Sequence, residues 1–246
     1  MARDRPMIPV SRTDPGARLA LALSKPLFLL AAAPDTPVIP LAAALNATGA
    51  VAVGGNGHFT DALAVPLKDV LSGYNDSHDG VAAFTQADFR QLMRTAVGLS
   101  LARLPGMEDA RALGTTVTVH AHNLDFLDLL FPSMAVVHVV CDGRGLLPTG
   151  DGADAAAQAA AHVWADAVGT ACRFGASRPE RSYEIRLEDL SGPDSAVHWQ
   201  SLLRFLLGNA AGESTPRPLP PPPAPTVAEG AALARMAPLL RQFDYL

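Results

Sequence analysis

The chain has 246 residues, 49% of them hydrophobic, and a formal net charge of -5 at pH 7, which is enough length and apolar content to bury one full core as a single domain. The acidic balance leaves no basic stripe for a phosphate backbone, so we expect no nucleic-acid partner. Two cysteines in a chain of this size favour a reducing, cytoplasmic compartment over a disulfide scaffold, and no stretch approaches the ~20 uninterrupted apolar residues of a membrane-spanning helix.

Residues 1–17 are polar and rich in proline, which predicts a flexible N-terminal tail ahead of a single domain over residues 18–246. Residues 18–33 have the basic and apolar outline of a signal peptide, but Lys25-Pro26 interrupts the apolar run, so secretion is the weaker alternative. The apolar run at residues 27–31 predicts the first buried strand.

Asp35, Thr36 and Pro37 follow this strand and have the residue types of a helix start. The side chain of Asp35 or Thr36 can accept hydrogen bonds from the first backbone N–H groups of a helix, and Pro37 suits the first helical position. The pattern therefore predicts a self-capped helix directly after the first strand.

A second short strand is predicted at residues 50–53, followed by a glycine-rich loop that contains His58. The unperturbed pKa of histidine, about 6.5, suits a general base, although a histidine in such a loop can equally be structural. Residues 84–104 have the apolar spacing of a helix, and Thr85 with Asp88 predicts a capping box at its start.

His120 and His122 lie at alternate positions within residues 116–131 and would share one face of a strand. A zinc site takes at least three protein ligands, and no third candidate lies nearby in the sequence. We therefore expect no metal site.

The stretch 131–150 is the most informative part of the sequence. Residues 135–140 form a β-branched apolar run between turn-forming residues, which predicts a strand buried on both faces of a parallel sheet. Asp142, Arg144 and Thr149 would follow its carboxyl end, the edge at which open α/β sheets bind ligands.

This stretch resembles the 3′-phosphate-binding segment of sulfotransferases that use 3′-phosphoadenosine 5′-phosphosulfate (PAPS). The family's usual form is FP-x-A-x-x-I-H-I-V-R-D-x-R-x-x-x-x-S, and the identical positions here are Phe131, Pro132, His138, Val140, Asp142 and Arg144. Thr149 stands at the serine position. Cys141 stands where the family places an arginine on the 3′-phosphate, so the resemblance implies the loss of one phosphate contact.

Residues 28–49 resemble the family's 5′-phosphosulfate loop and the helix after it. Asp35 stands at the arginine position, Thr36 at the serine and Pro37 at the glycine. A phosphate loop needs free backbone N–H groups and a cation. Pro37 lacks an N–H, and Asp35 would repel a phosphate by roughly 4 kcal/mol at ~4 Å and an effective dielectric of ~20. We favour a loop that caps its own helix over an altered loop that still binds PAPS.

The glycine-rich loop and residues 116–131 also resemble the family. The loop is similar to G-G-E-T-H-F-F, with Asn56 in place of a glutamate that can serve as general base, which leaves His58 as the candidate base. Residues 116–131 resemble K-T-P-x-H-x-x-x-L and match at His120, with Thr116 at the lysine position.

The C-terminal third resembles the family mainly in its scaffold. Residues 182–190 resemble its V-R-Y-E-D-L strand, and Trp164 lies in an alanine-rich predicted helix where the family also has a tryptophan. Residues 216–225 predict a proline-rich linker extended as polyproline II. Residues 227–246 predict a C-terminal helix that packs either on its own core or on a neighbouring chain.

The resemblance implies an α/β fold, a parallel sheet flanked by helices as in P-loop nucleotide kinases. Both PAPS arginines, the loop glycine, the loop lysine and the acceptor-loop glutamate are substituted together. This combination implies a non-catalytic partner subunit that forms a heteromer with an active sulfotransferase in bacterial specialised metabolism. No tightly bound cofactor is then expected.

Two enzymatic alternatives stay open. The chain can be an active PAPS-dependent sulfotransferase with altered nucleotide contacts, or a repurposed enzyme in which His58 and His120 act on a small-molecule acceptor in the old cavity. A stand-alone binder of a small molecule is a third alternative. The resemblance assigns the remnant cofactor-binding positions to Asp35, Thr36, Pro37, Cys141, Arg144 and Thr149.

Overall fold

The structure is a computed structural model that describes residues 14–55, 59–78, 83–119, 123–150, 152–208, 216–226 and 230–246. These residues form a parallel sheet flanked by helices, which confirms the predicted α/β fold class. Within them, no helix is both long enough and apolar enough to cross a membrane.

Within the described ranges the sheet has five parallel strands in the spatial order β2-β3-β1-β4-β5. The strands are β1 Leu27–Ala32, β2 Val51–Gly54, β3 Ala112–Thr118, β4 Ala135–Val140 and β5 Ser182–Arg186. The strands predicted at residues 27–31, 50–53 and 135–140 are thus confirmed. Their apolar runs are buried because helices cover both faces of the sheet.

Helices lie between successive strands, and the last three helices follow the last strand. They are α1 Pro15–Ser24, α2 Val38–Ala47, α3 Val65–Ser77, α4 Gln86–Leu101, α5 Asn123–Leu130, α6 Asp154–Ser177, α7 Leu187–Ser191, α8 Ser195–Leu207 and α9 Gly230–Gln242. A turn of π-helix at Phe59–Ala64 leads into α3, and short 3-10 turns lie at Gly143–Leu146 and Pro179–Arg181.

The helices form two layers around two cores. One face of the sheet, with Leu29 and Ala31 of β1, packs against α1, α4, α5, α6 and α9. The opposite face, with Phe28 and Leu30, packs against α2, α7 and α8 around the fully buried Trp199. Successive strand side chains point to opposite faces, so one apolar run supplies both cores.

Most of the stretch predicted as a flexible tail, residues 1–13, lies outside the described residues. α1 begins at Pro15, inside the stretch expected to be a tail up to residue 17. The carboxylate of Asp14 accepts a hydrogen bond from the Gly16 N–H at 2.9 Å, and proline suits the first turn of a helix. The Arg18 side chain then fixes α1 to the body of the protein by donating to the Ala102 carbonyl.

Two further local predictions have different outcomes. The capping box of α4 is confirmed, because the Thr85 hydroxyl accepts from the Asp88 N–H and the Asp88 carboxylate accepts from the Thr85 N–H. The strand predicted over residues 182–190 is too long. β5 ends at Arg186, since Leu187 and the rest of α7 turn into the core on the α8 side.

The C-terminal helix packs on its own protein. α9 lies along α6 with Met236 and Leu240 fully buried, which confirms the first of the two predicted placements. Residues 216–226, before it, have neither helix nor strand. They lie against α7, where the Leu219 N–H donates to the Leu190 carbonyl at 2.9 Å.

The strand order fixes where a ligand crevice should lie. After β1 the chain crosses to β2 on one side of the sheet, and after β4 it crosses to β5 on the other side. The adjacent carboxyl ends of β1 and β4 therefore flank the topological switch point, which is where open α/β sheets bind ligands.

Candidate functional site

Two loops form the switch-point crevice. The first follows β1 and carries Asp35 and Thr36, and the second follows β4 and carries Cys141 and Arg144. β1 and β4 are parallel neighbours, with Ala32 paired to Val139, so both loops leave the sheet at the same edge. With Pro37, which lies in the first loop as well, the structure thus brings to one edge of the sheet five of the six positions that the resemblance assigns to cofactor binding.

The loop after β1 differs from the predicted self-capped start. α2 begins at Val38, and Pro37 precedes it in a non-helical conformation (φ -76°, ψ 72°) without a side-chain cap among the described residues. Asp35 has a φ of 62°, in the left-handed region, which turns the chain so that Thr36 is buried. The prediction that Asp35 or Thr36 caps this helix is therefore wrong.

This loop has few backbone donors left for an anion. Pro37 and Pro40 have no N–H. The Thr36 N–H donates to the Ala33 carbonyl, and the Val38 N–H donates to the Thr36 carbonyl at 2.8 Å. Of the five positions from 36 to 40, two have no backbone N–H and two have an N–H that is already hydrogen-bonded. A phosphate-binding loop needs several free backbone N–H groups.

Cys141 contributes no positive charge to the crevice. Its side chain is 1% exposed, and it forms no disulfide. Burial raises the pKa of the Cys141 thiol to about 12, and the nearby carboxylate of Glu188 adds to this effect, while the Thr36 hydroxyl opposes it. The group that stands at the family's arginine position is therefore a neutral thiol at physiological pH.

Arg144 is the cation of the second loop, and its Nε and Nη2 donors are already engaged. Its Nε lies 3.0 and 3.1 Å from the two carboxylate oxygens of Asp142, and its Nη2 lies 2.6 Å from Asp142 Oδ2. The same Nη2 donates to the backbone carbonyl of Tyr245 at 2.8 Å. The ion pair raises the pKa of Arg144 and offsets its charge.

Residues 243–246, which we call the C-terminal strap, lie across the carboxyl ends of β4 and β5. The Tyr245 phenol donates to Glu188 Oε2 at 2.8 Å, and the Arg186 Nη1 donates to the Phe243 carbonyl at 2.9 Å. The other carboxylate oxygen of Glu188 accepts from the Asp142 N–H at 2.9 Å. One acidic side chain therefore joins the strap to the loop after β4.

The proline-rich segment covers the same loop from outside. The Thr226 hydroxyl donates to the Arg144 carbonyl at 2.7 Å. A Cβ atom at position 145 would collide with the Pro223 carbonyl oxygen, so Gly145 permits this close approach. The loop after β4 is thus held between the sheet, the strap and residues 216–226.

Thr149 does not face the crevice. It is exposed and lines a different cleft, of about 710 Å³, between the start of α6 and the first turn of α9. None of the other five remnant positions lines that cleft. The match of Thr149 to the family's serine therefore brings no hydroxyl to the other remnant residues.

The two predicted catalytic histidines, His58 and His120, lie outside the described residues, and so does Asn56. Their predicted roles as general base and acceptor-site residues stay predictions. The described residues nearest to His58 in sequence are Gly55, whose carbonyl accepts from the Thr115 hydroxyl at 2.7 Å, and Phe59.

One polar cluster was not predicted from the sequence. His138 of β4, Glu184 of β5 and Cys172 of α6 bring a ring nitrogen, a carboxylate oxygen and a sulfur within 4.8 Å of one another. The three residues have no short spacing that would mark a metal motif. The signal that joins them is the strand pairing, which places His138 directly opposite Glu184.

In comparisons with known proteins, no protein-family model and no curated protein sequence matches the chain. Three properties of the crevice bear on function. Its first loop has few free amides, its second loop has a neutral thiol at position 141, and Arg144 is paired with Asp142.

Proposed function

We propose that this chain is a sulfotransferase-like protein that performs no PAPS chemistry and acts as the partner subunit of an active sulfotransferase. The observation that carries the proposal is the engagement of Arg144 by Asp142 and by the Tyr245 carbonyl. The Nε and Nη2 groups of Arg144 therefore have to give up these partners before they can contact a phosphate.

Electrostatics support the same conclusion. In the resemblance Asp35 stands in the 5′-phosphosulfate loop, and the carboxylate of Glu188 lies near Cys141, the position assigned to the 3′-phosphate contact. One unit charge at ~4 Å repels a phosphate charge by roughly 4 kcal/mol at an effective dielectric of ~20. That energy corresponds to about three decades of affinity.

The residues that match the family in the C-terminal third make structural contacts. Arg186 pairs with Asp189 at 2.7 Å and holds the strap, Glu188 joins the strap to the loop after β4, and Trp164 is buried against α9 and the 3-10 turn. The chain keeps these structural contacts but lacks the phosphate contacts. This combination supports a role in binding another protein.

We place the partner contact at an exposed cleft of about 340 Å³ between α3, α4 and α5. Phe84 and Leu129, which are 40% and 54% exposed, line this cleft together with Phe89 and Phe126. Aromatic and aliphatic side chains gathered in one exposed cleft are typical of a protein-interaction surface.

Co-expression tests this function. The gene of this chain should lie beside that of an intact sulfotransferase, and the two products should co-purify as a heteromer whose sulfotransferase activity falls when this chain is omitted. A chain that elutes alone as a monomer, beside a neighbour that is fully active without it, would overturn the proposal in favour of a repurposed enzyme.

A further inference from the structure

The cluster of His138, Cys172 and Glu184 lies where β4, β5 and α6 meet, and it includes none of the switch-point residues. His138 and Glu184 are direct neighbours across the parallel strand pair, so their side chains share the face of the sheet that α6 covers. Cys172 approaches them from α6. Three elements distant in sequence thus supply one side chain each.

The distances fit a small divalent cation. His138 Nδ1 lies 3.2 Å from Glu184 Oε2, the Cys172 Sγ lies 4.0 Å from the same oxygen, and all three ligand atoms fall within 4.8 Å of one another. Tetrahedral zinc, at about 2.1 Å from nitrogen and oxygen and 2.3 Å from sulfur, holds its ligand atoms roughly 3.3–3.8 Å apart. The cluster therefore needs only small side-chain shifts to bind zinc.

The three candidate ligands already meet at one atom. The Cys172 thiol and the His138 imidazole both contact one carboxylate oxygen, Glu184 Oε2. A metal ion between the three groups would take the place of these direct contacts. Zinc with a thiolate, a carboxylate and a neutral imidazole has no net charge, so little charge has to be buried. The His138 side chain is 6% exposed and that of Glu184 is 47% exposed, which leaves one side of the site open to solvent.

Residues around the cluster connect it to the C-terminus. The Gln242 Nε2 lies 3.7 Å from the Cys172 Sγ, and the His138 ring contacts the Phe243 ring edge-on at 6.0 Å between centroids. A bound metal would thus tie α6 and the β4–β5 pair together directly beneath the strap.

We propose that His138, Cys172 and Glu184 form a zinc-type metal site with three protein ligands and a fourth position open to solvent. On binding, the Cys172 thiol releases its proton to solvent and its sulfur joins the metal as thiolate, while the imidazole binds through Nδ1 and keeps its hydrogen on Nε2. The site is independent of the proposed partner role, since it uses none of the residues of the crevice or of the α3–α5 cleft.

The test uses the full chain without an affinity tag, freed of metal with a chelator and titrated with Co²⁺ as a spectroscopic probe. We expect one Co²⁺ per chain, a thiolate-to-cobalt charge-transfer band in the near ultraviolet and the visible bands of tetrahedral cobalt. One equivalent of Zn²⁺ should abolish these bands, because zinc binds such ligand sets more tightly than cobalt.

Matched variants assign the ligands. Cys172→Ser should remove the charge-transfer band, Glu184→Gln should weaken Co²⁺ binding at least about tenfold, and Cys141→Ala, which removes the other thiol, should leave the band unchanged. Far-ultraviolet circular dichroism checks that each variant is folded. The proposal is overturned if the wild-type chain gives no such band with millimolar Co²⁺, or if the band survives in Cys172→Ser.

Discussion

Tyr245, the penultimate residue, donates its phenol hydrogen to the Glu188 carboxylate at 2.8 Å, although 57 residues separate the two in sequence. Burial, and next the charge of Glu188, raise the pKa of the Tyr245 phenol, so this hydrogen bond persists through the physiological pH range. The bond makes the C-terminal strap part of the same structural unit as the edge of the sheet.

Tyr245→Phe should lower the free energy of unfolding by about 1–3 kcal/mol, because Glu188 loses one donor while it stays partly buried. Urea unfolding at pH 7.5 measures the change. Tyr74→Phe is the matched control, since Tyr74 is half-exposed and its phenol has no hydrogen-bond partner among the described residues. Equal stability of the Tyr245→Phe variant and the wild-type chain would show that the strap is not held by this bond.

Alkaline pH should destabilise the protein through Cys141. The unfolded thiol ionises near its ordinary pKa of 9.0, whereas the folded thiol keeps its proton until about pH 12. The folded state then binds more protons, so the free energy of unfolding falls as pH rises above 9, by at most about 1.4 kcal/mol per pH unit from this group. The stability difference between the wild-type chain and Cys141→Ala should therefore shrink between pH 8 and 10.5. Parallel pH profiles of the two proteins would contradict this assignment.

The strands β1, β2 and β4 were predictable because their signals are local, whereas no strand was predicted at β3. The runs that become β1 and β4 are continuous and apolar between turn residues, and the Thr85–Asp88 capping box lies within four residues. Such patterns do not depend on the rest of the chain.

The crevice was predictable only in part, because its final form depends on distant contacts. Asp35 and Thr36 have good capping side chains, but the left-handed turn at Asp35 buries Thr36 instead. One of the two partners of Arg144, the Tyr245 carbonyl, lies 101 residues away in sequence. No local pattern in the sequence reports such a contact, and the same holds for the pairing of His138 with Glu184.

The proposed partner surface predicts a selective effect of charge. Leu129→Arg should reduce co-purification with the sulfotransferase by about tenfold or more, since a buried guanidinium in an apolar interface is costly. Val197→Arg is the control, because Val197 is 63% exposed on α8, which packs on the opposite face of the sheet. Both variants should melt close to the wild-type temperature. Equal losses in the two variants, or none in either, would argue against the α3–α5 cleft.

Restoring anion contacts in the first loop should restore some nucleotide affinity. Pro37→Gly returns one backbone N–H, and Asp35→Arg replaces a repulsive charge with an attractive one. We expect the double variant to bind the desulfated product of PAPS at least about tenfold more tightly than the wild-type chain, and Asp35→Asn with Pro37→Gly to fall between them. No gain in either variant would mean that the strap closes the crevice, or that this loop is not the remnant of a phosphate site.

The central claim is that the crevice between β1 and β4 no longer binds PAPS, and titration calorimetry of the full chain with the desulfated product of PAPS tests it most directly. We expect a dissociation constant no tighter than the high micromolar range, because the first loop has few free amides and Arg144 is already paired with Asp142. A sub-micromolar dissociation constant would contradict this claim and would make the chain an active sulfotransferase candidate.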